Sequence, residues 1–476
     1  MILSSTFNKT KVIASIGPSS SEPKIIKEMI EAGVDGFRFN FAHSKPENLK
    51  KLIDIIRNES DKSKKIVTIL GDIQGPKIRI EKIENGSVLI KENQIIEILD
   101  RTVIGNEKRF STTYKSLSKE VKVGDRILID DGLIKLIVVK KKNGSLVCEV
   151  IEGGELKERK GLNIPDSVLK TRALTKKDFE WIDFSIENQL DFLALSFVRN
   201  EKDVIDLKNY LKKKKSEIKV ISKIELKEGV KNFESILKVS DGIMVARGDL
   251  GVELGPEEVP PVQKAIIKRC IEARKLVITA TQLLDSMIYN PIPTRAEASD
   301  VANVVLDGTD AVLLTAETTI GKDPVRVVKT LNQLIARSEK INISHNVQYD
   351  YIETDEARVQ SIAKASCQIS NDLNAEAIIP ITYSGFTAIV LSKYFPSSPI
   401  IALTNNHKTA KILNFYRGVE SFVIDDISDM DIVIEKVLAY LKNKKLFKKD
   451  IHLVFVGSLK SKEKAISNLI KVLHTT

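Results

Sequence analysis

The chain has 476 residues, enough for roughly three domains of ordinary size, and 42% of them are hydrophobic and 29% charged. This composition is typical of a soluble globular protein, and no apolar run approaches the ~20 residues that span a bilayer. The net charge of +10 would suit nucleic acid, an acidic surface or phosphorylated small molecules. Because the lysines are scattered and no nucleic-acid motif or aromatic platform accompanies them, we expect neither a nucleic-acid nor a membrane partner.

The N-terminal segment and the cysteines both indicate the cytoplasm. Residues 1–6 lack the basic start and the long apolar middle of a signal peptide. The cysteines Cys148, Cys270 and Cys367 are far apart, match no metal-ligand spacing and cannot form a disulfide framework. We therefore interpret them as core thiols in a reducing compartment.

Strand-like and helix-like segments alternate along most of the chain. Three strand-like segments precede residue 78 and five more follow residue 173, which gives eight, the number of a closed (β/α)8 TIM barrel. Helices over Glu22–Ala32 and Glu47–Asn58 follow the first two. The predicted strands are Lys11–Gly17, Gly36–His43, Lys65–Ile73, Phe192–Phe197, Val220–Glu225, Gly242–Asp249, Leu276–Gln282 and Ala311–Glu317.

Between residues 79 and 172 the alternation stops, and short strands are separated by Asn-Gly, Gly-Asn, Asp-Gly and Gly-Gly turns. This pattern predicts an all-β insert, which we place as a lid over the carboxyl ends of the barrel strands. The barrel then consists of residues 1–78 and 173–341. A C-terminal α/β domain is predicted over 342–476, with strands Ala377–Thr382, Pro399–Thr404, Glu420–Ile424 and His452–Gly457.

Polar or charged residues end nearly every predicted barrel strand. The carboxyl ends of barrel strands meet at one face, where the active sites of such enzymes lie, so these residues can be pooled into one site. An unpaired buried charge costs several kcal/mol or more, so charged residues at the ends of buried strands favour a ligand that faces them. The alternative for any one strand is that its charged end is simply solvated. The pooled residues are Arg38, Asn40, Asp72, Ser196, Lys223, Glu225, Arg247, Asp249, Thr281 and Glu317.

The chemistry of this set favours phosphoryl transfer. The carboxylates Glu225 and Asp249 suit a hard divalent cation, Mg²⁺ or Mn²⁺, whereas zinc would favour His or Cys ligands. Arg38 and Lys223 beside such an ion would neutralise negative oxygens, which together with positioning is most of the catalysis in phosphoryl transfer. Thr281 is uncharged, so its expected task is to hand over a proton or to hold a water.

A Walker loop for a nucleotide is absent from the sequence. The Gly321-Lys322 pair has Ala316 where the first glycine is needed and Asp323 where Ser or Thr should follow. Any nucleotide must therefore be held by the barrel loops and the lid.

Five segments of the chain match one known family in the right order: Thr10–Ser19, Ile221–Glu225, Gly242–Gly251, Ala280–Gln282 and Pro293–Glu297. On these segments, and over essentially its whole length, the chain resembles the pyruvate kinase family. The resemblance implies transfer of the phosphoryl group of phosphoenolpyruvate to ADP, giving pyruvate and ATP in glycolysis, and it also implies a homotetramer.

The resemblance assigns roles to individual residues of this sequence. Lys223 and Arg38 stabilise the migrating phosphoryl group, Thr281 lies on the route by which the enolate is protonated, and Glu225 and Asp249 hold the divalent cation. The substrate is bound by Arg38, Lys223, Ala246, Arg247, Gly248, Asp249 and Thr281, with Gly248 permitting close approach of the substrate carboxylate to the backbone. The nucleotide phosphates are expected to meet Arg79 and Lys160 at the two lid junctions. Asn40 and His43 are further candidate nucleotide contacts, and for His43 the alternative is a structural role.

One departure from the commoner family pattern concerns K⁺. Most members hold this ion with an Asn, a Ser, an Asp and a backbone carbonyl, and carry a Glu near it. Asn40, Asp72 and the Ile73 carbonyl are retained, but Ala42 stands at the Ser position and Lys77 at the Glu position. Because a fixed ammonium can supply the charge of a bound monovalent cation, we expect that K⁺ is not required. The alternative is that Lys77 points to solvent and Ala42 is drift.

The C-terminal domain resembles the effector domain of the family. Residues 382–387 follow a strand and open a helix, which is a favourable place for a phosphate group. The candidate contacts of a phosphorylated effector are Thr382, Ser384, Gly385 and Thr387. The glycine-rich loop of the family is represented at 457–463 by a segment with one glycine, so the sequence leaves open whether an effector binds.

Two other interpretations remain open on the residues alone. One is a related barrel enzyme that uses Mg²⁺ and a pyruvate enolate, such as an aldolase or a phosphotransferase with a phosphohistidine partner, although neither explains the β lid or the C-terminal domain. The other is a regulator that binds metabolites without catalysis, which the presence of Lys223, Glu225, Asp249 and Thr281 disfavours.

Overall fold

The computed structural model describes residues 7–170, 173–341, 349, 355–443, 450–458 and 467–475. The first part of the barrel opens with alternating strands and helices. Both helices begin with a proline in their first turn, where the missing N–H has no intrahelical partner to lose. The elements are β1 (Lys11–Ser15), α1 (Pro23–Glu31), β2 (Gly36–Asn40), α2 (Pro46–Ser63) and β3 (Thr68–Ile73).

The insert is an all-β lid, as the turn chemistry predicts. Gly144 adopts φ 82° in the Asn-Gly turn that joins two of its longest strands, a conformation in which glycine has no Cβ clash. Its elements are β4 (Ser87–Ile90), β5 (Ile95–Leu99), β6 (Arg109–Ser111), α3 (Leu117–Glu120), β7 (Arg126–Ile129), β8 (Ile134–Lys142), β9 (Ser145–Glu152), β10 (Gly154–Lys157) and β11 (Leu162–Asn163). They form a six-stranded sheet in the order β11-β7-β8-β9-β5-β6 and a two-stranded sheet, β10-β4.

The second part of the barrel supplies five more parallel strands, and the ring closes in the order β1-β16-β15-β14-β13-β12-β3-β2. The predicted TIM barrel is therefore confirmed. The elements are α4 (Lys176–Glu187), β12 (Phe192–Leu195), α5 (Glu201–Lys213), β13 (Lys219–Ile224), α6 (Lys227–Lys231), α7 (Phe233–Val239), β14 (Gly242–Ala246), α8 (Arg247–Leu254), α9 (Val259–Glu272), β15 (Leu276–Ala280), α10 (Arg295–Leu306), β16 (Ala311–Leu314), α11 (Ala316–Thr319) and α12 (Pro324–Ser338).

Several barrel strands end earlier than the sequence pattern predicts. β2 ends at Asn40 and is followed by a short 3₁₀ helix, β14 ends at Ala246, where α8 begins directly, and β16 ends before α11. An apolar run shows that a segment is buried but not where its backbone turns. As a result Arg247 and Asp249 lie in the first turn of a helix and not on a strand.

The barrel strands face two cores. In β1, Ile13 belongs to the cluster that fills the barrel, whereas Val12 and Ala14 belong to the layer beneath the helices, as the two-residue period of a strand requires. The inner cluster continues into the C-terminal domain, where Phe192 stacks on Phe415 with ring centroids 5.2 Å apart. The three cysteines are buried and free, as expected of core thiols, and burial raises the pKa of each.

The amino-terminal face of the barrel repeats one contact around the ring. An aspartate directly before each of β2, β12, β14 and β16 accepts the backbone N–H of the adjacent strand at 2.7–2.8 Å. These contacts satisfy backbone donors at strand ends that the ladder leaves without partners. The pairs are Asp35 with Val12, Asp191 with Ile69, Asp241 with Val220 and Asp310 with Val277.

The C-terminal domain is a five-stranded sheet in the order β19-β18-β17-β20-β21. The sequence pattern predicts four of these strands and misses the last, which is antiparallel and mostly half-buried. Most of residues 342–354, with which the C-terminal domain is predicted to begin, lie outside the described residues. The elements are α13 (Asp355–Asp372), β17 (Ala377–Pro380), α14 (Phe386–Lys393), β18 (Ile400–Thr404), α15 (His407–Leu413), β19 (Val419–Val423), α16 (Met430–Asn443), β20 (Ile451–Gly457) and β21 (Leu469–Thr475). Of all the helices in the described ranges, none has the length and hydropathy to cross a bilayer.

Candidate active site

Asp72 is the centre of a buried network at the carboxyl face of the barrel. Arg38 donates from Nε and Nη2 to Asp72 Oδ2 at 2.9 and 2.6 Å, and Lys223 and Ser196 each donate to Oδ1 at 3.3 Å. Burial opposes ionisation of Asp72, but the charges of Lys223 and Arg38 outweigh it and lower the pKa of the carboxyl. Asp72 is therefore an anion that fixes two cations in the barrel mouth.

Lys223 reaches three partners from β13. Its Nζ lies 2.9 Å from Ser196 Oγ, 3.3 Å from Asp72 Oδ1 and 2.9 Å from Glu225 Oε1. Burial would lower the pKa of this amine, but the two carboxylates raise it well above its ordinary value. Lys223 is thus a permanent ammonium, suited to hold negative oxygens and unsuited to accept a proton.

Glu225 directly follows β13, and Asp249 lies in the first turn of α8, which directly follows the neighbouring strand β14. Glu225 is 1% exposed, and its Oε2 accepts the Phe197 N–H at 2.7 Å. Burial raises the pKa of Glu225 and the charge of Asp249 adds to this effect, while Lys223 opposes it. The charge of Asp249 thus disfavours ionisation of Glu225, an effect that a bound cation would relieve.

The donor set fits a hard divalent cation. Both groups supply oxygen only, as Mg²⁺ and Mn²⁺ prefer. Among the residues that the structure describes, no group of three or more His, Cys, Asp or Glu side chains is arranged to hold a metal. The protein would thus contribute Glu225 and Asp249, and the other ligands of the ion would be substrate and water oxygens.

Thr281 and Arg247 connect this pair to the next strand. Thr281 has φ 74°, in the left-handed region, and its Oγ1 accepts the Gly248 N–H at 2.9 Å. Because a hydroxyl can accept one hydrogen bond and donate another, this contact leaves Thr281 able to donate its proton to a ligand. Arg247 donates to the Thr281 carbonyl at 2.7 Å and to Asp300 at 2.8 Å, so its side chain holds the loop in place.

Gly248 is not required by the packing of the protein itself. A Cβ at this position would lie 3.6 Å from Thr281 Oγ1, an ordinary van der Waals distance. The predicted reason for a glycine here, close approach of a ligand to the backbone, therefore remains a prediction.

Lys77 points into the mouth and not to solvent. Its side chain is 23% exposed, and its Nζ lies 3.0 Å from Asp249 Oδ1 and 5.8 Å from the Phe197 ring centre. The sequence groups Lys77 with Asn40, Asp72 and Ile73. Asn40 is opposite Asp72 in the sheet register, but its Oδ1 accepts the N–H of Ala42, and the contact of Lys77 is with the predicted metal ligand.

The two lid junctions lie side by side. Arg79 is paired with Gly161 by a β-bridge and donates to the Arg159 carbonyl at 2.9 Å, while Lys160 forms an ion pair with Asp130 at 2.8 Å. The structure therefore brings together the two cations predicted to meet nucleotide phosphates. The side chain of His43, a third predicted contact, lies outside the described residues.

Two further sets of predicted contacts serve the fold. Glu317 is fully buried and accepts the backbone N–H groups of Leu284 and Thr315, so its assignment to the pooled site is wrong. In the C-terminal domain, buried Thr382 accepts the Gly385 N–H at 3.0 Å, and the hydroxyl of buried Thr387 lies 2.7 Å from that of Ser467.

Ser384 remains available in that segment. Its Oγ accepts the Phe386 N–H at 3.4 Å, and the adjoining Gly385 has φ 86°. The candidate effector loop at 457–463 lies mostly outside the described residues. The four predicted effector contacts thus reduce to Ser384 and the backbone at Gly385.

Sequence reasoning missed three contacts that shape the mouth. Ser15, at the end of β1, accepts from Arg38 Nη1 at 3.2 Å, and its strand-end position was a usable signal. The Lys77–Asp249 and Arg247–Asp300 pairs carried no such signal because their members are 172 and 53 residues apart. Only the closed ring and the placed lid bring them together.

Comparisons with known proteins agree along the whole chain. The family model "Pyruvate kinase, barrel domain" matches residues 7–328, and "Pyruvate kinase, alpha/beta domain" matches 360–473. A curated pyruvate kinase of Thermotoga maritima is 42% identical over 465 residues, 98% of this chain and 99% of the relative. That of Clostridium perfringens is 37% identical over 474 residues, with coverage of 98% and 99%. The crystal structure of a pyruvate kinase from Cryptosporidium parvum superposes with a TM-score of 0.92 at 36% identity, covering 98% of this chain and 96% of the other.

Proposed function

This chain belongs to the pyruvate kinase family, and we propose that it transfers the phosphoryl group of phosphoenolpyruvate to ADP without a requirement for K⁺. In that reaction the bond between the enol oxygen and phosphorus breaks, and a bond forms from phosphorus to a terminal β-phosphate oxygen of ADP. The enolate left behind takes a proton on its methylene carbon and becomes pyruvate. The observation that carries the proposal is the ammonium of Lys77 at 3.0 Å from Asp249, inside the mouth.

The cations around Asp72 are suited to hold the phosphoryl group in flight. Lys223 stays charged because Asp72 and Glu225 flank it, and Arg38 is fixed by two bonds to one oxygen of Asp72. Preorganised charges of this kind need no reorientation when negative charge shifts from the enol oxygen to ADP. Lys223 and Arg38 are therefore assigned to stabilise the transferred group.

The remaining roles follow from the same geometry. Glu225 and Asp249 would hold the Mg²⁺ or Mn²⁺, which when bound supplies a Lewis acid for the phosphate and carboxylate oxygens of the substrate. The Thr281 Oγ1 accepts the Gly248 N–H, and the hydroxyl can donate its own proton at the same time. It is thus assigned to the route by which the enolate is protonated. Ala246 and Gly248, at the start of α8, are assigned to the substrate carboxylate.

The nucleotide is assigned to the face of the mouth below the lid junctions. Arg79 and Lys160 currently hold a lid carbonyl and Asp130, and both contacts can be exchanged for phosphate oxygens. Asn40 lies on the same side of the ring. We also propose that the protein is a cytoplasmic homotetramer. If a phosphorylated effector binds, its phosphate group is assigned to the segment around Ser384.

Lys77 is the basis for the lack of a K⁺ requirement. The segment holds Asn40, Asp72 and Ile73 but has Ala42 where an oxygen ligand would be needed. A unit charge a few ångströms away is worth about 1–4 kcal/mol at the dielectric constants of a protein surface. An ammonium fixed by Asp249 and faced by Phe197 supplies that charge continuously.

The test is pyruvate formation from phosphoenolpyruvate and ADP in a buffer whose only monovalent cations are bulky organic ones. The wild type should change less than about twofold on addition of K⁺. Lys77→Gln should be at least about tenfold slower in the same buffer, since one fixed charge is lost. Lys82→Gln, an exposed lysine near the lid junction, is the matched control and should behave as the wild type.

Two outcomes would count against these assignments separately. A many-fold rise in wild-type turnover with K⁺ would refute the role of Lys77 while leaving the reaction intact. Pyruvate release that is equally fast with and without ADP would favour the rival barrel chemistries, in which the phosphoryl group goes elsewhere.

A further inference from the structure

A second cleft, of about 450 Å³, lies between the lid and the barrel. Its lid wall is the segment 162–169, and its barrel wall is formed by the loops after β12 and β13 and by Glu253 of α8. Lys77 and Phe197 also line it, so the cleft adjoins the mouth, but none of the residues assigned to the nucleotide or to the phosphoryl group does. Its volume is in the range of small-molecule sites.

Arg199 on the barrel wall has an unmet hydrogen bond. Its side chain is 13% exposed, and its Nε lies 3.8 Å from Glu228. Its Nη1 is buried and has no hydrogen-bond partner in the part of the chain that the structure describes. A buried donor left without an acceptor costs about 1–3 kcal/mol, and more when it is charged. Arg199 Nη1 is thus a buried donor that a ligand with an acceptor oxygen would satisfy.

The charge at this wall is positive. Lys227 and Lys231 are four residues apart on α6, both are exposed, and neither forms an ion pair with another described residue. Three acidic groups also line the cleft, and each has a partner: Glu228 lies 3.8 Å from Arg199 Nε. Asp166 accepts two bonds from Arg126 at 2.8 Å, and Glu253 accepts from Asn163 at 2.8 Å.

The lid wall opposite offers one exposed apolar side chain, Val168, beside the exposed Asp166. Pro165 is buried, and Val168 has 68% of its surface exposed beside it. Such a wall gains by contact with a nonpolar group, at about 25 cal/mol per Å² removed from water.

We propose that this cleft binds a small organic anion whose carboxylate or phosphate group is held by Arg199, Lys227 and Lys231 and whose apolar part lies against Pro165 and Val168. Such a ligand touches the lid and the barrel at once.

Phenyl phosphate and benzoate are the probes, since they share the apolar ring and differ in the anion, and inorganic phosphate lacks the ring. Binding to the full-length protein is followed by ligand-observed NMR with saturating phosphoenolpyruvate and no ADP, so that the mouth is filled. At least one aromatic probe should bind the wild type saturably and about tenfold more tightly than inorganic phosphate. Its affinity should fall at least about tenfold in Arg199→Gln and in the double variant Lys227→Ala/Lys231→Ala.

The double variant Lys140→Ala/Lys141→Ala removes the same charge from an exposed lid strand and should bind as the wild type. Both α6 lysines are exposed, so their variant keeps the test valid if the Arg199 variant fails to fold. The proposal is overturned if neither aromatic probe binds saturably, or if the Lys227→Ala/Lys231→Ala protein retains wild-type affinity. Either result leaves the proposed phosphoryl transfer untouched, because that reaction is assayed separately by pyruvate formation.

Discussion

The two ends of the barrel both bury carboxylates beside lysines or arginines, yet they use them differently. At the amino-terminal end, each of four aspartates accepts a backbone N–H of the neighbouring strand with one carboxylate oxygen. At the carboxyl end, Asp72 contacts only side chains, and Asp249 is 26% exposed toward the mouth. A buried charge is therefore not by itself a sign of a site. A ligand can replace the side-chain partners of Asp72 and Asp249, whereas Glu225 in the mouth accepts the Phe197 N–H with one oxygen and contacts Lys223 with the other.

The pKa values of the two ends differ for the same reason. Asp191 at the amino-terminal end meets a backbone donor and only distant cations, so burial dominates and raises its pKa to about 6. Asp72 is as buried, but Lys223 and Arg38 contact it directly and lower its pKa. The opposite directions of these two pKa shifts thus follow from whether a cation contacts the buried carboxyl directly.

Replacement of Lys223 by Met should have the largest effect on activity. Turnover is expected to fall at least about a thousandfold, since a preorganised charge in the mouth is removed. Binding of Mn²⁺ and phosphoenolpyruvate, measured by calorimetry, should remain. Equal loss of turnover and of binding would place Lys223 with the structural charges of the other end.

Asp310→Asn should lower the stability of the protein and leave its turnover nearly unchanged. Asp310 and Lys393 are each 1% exposed and lie 2.5 Å apart, so the variant leaves a buried ammonium without its counter-charge. The free energy of unfolding should fall by about 3–5 kcal/mol, while turnover per folded molecule stays within about twofold. Urea titration and the pyruvate assay measure the two quantities. A loss of turnover at unchanged stability would mean that the two ends are not functionally separate.

Asp191→Asn tests the pKa difference. The folded pKa of about 6 lies above the ordinary 3.8, so the native state binds more protons between these values and stability is lost as pH rises from 4 through 6. The Asn variant lacks this loss. Its thermal midpoint relative to the wild type should therefore increase over that window, by the equivalent of about 1–3 kcal/mol at most. A difference independent of pH, matching the exposed control Asp206→Asn, would contradict the assignment.

Lys24→Gln should have the smallest effect on stability and turnover. It serves as the reference for a charge that lies at neither end of the barrel. Its ammonium lies 3.9 Å from Glu28 on α1, with side chains 82% and 39% exposed. A surface pair of this kind contributes less than about 0.5 kcal/mol. A larger change in unfolding free energy, or any change in turnover, would show that charge alone and not position in the ring decides the effect.

The sequence allowed the mouth to be predicted more completely than its surroundings. Pooling strand ends identified Arg38, Asp72, Lys223 and Glu225, because these lie on or directly beside the strands whose apolar runs mark them. It wrongly added Glu317, since a residue that ends a strand and one that starts the next helix look alike in a pattern. The fifth strand of the C-terminal domain was not predicted because its half-buried residues show no clear alternation of apolar and polar side chains.

Local order along the chain determined the class of protein: eight apolar runs alternating with helices, turn-rich segments for the lid, and polar residues at strand ends. These features depend on neighbours in sequence, so they can be read without a fold. The contacts of Lys77 with Asp249, of Arg247 with Asp300 and of Asn163 with Glu253 depended on ring closure and on the position of the lid. Partners separated by 53 to 172 residues are selected by packing, which no local pattern encodes.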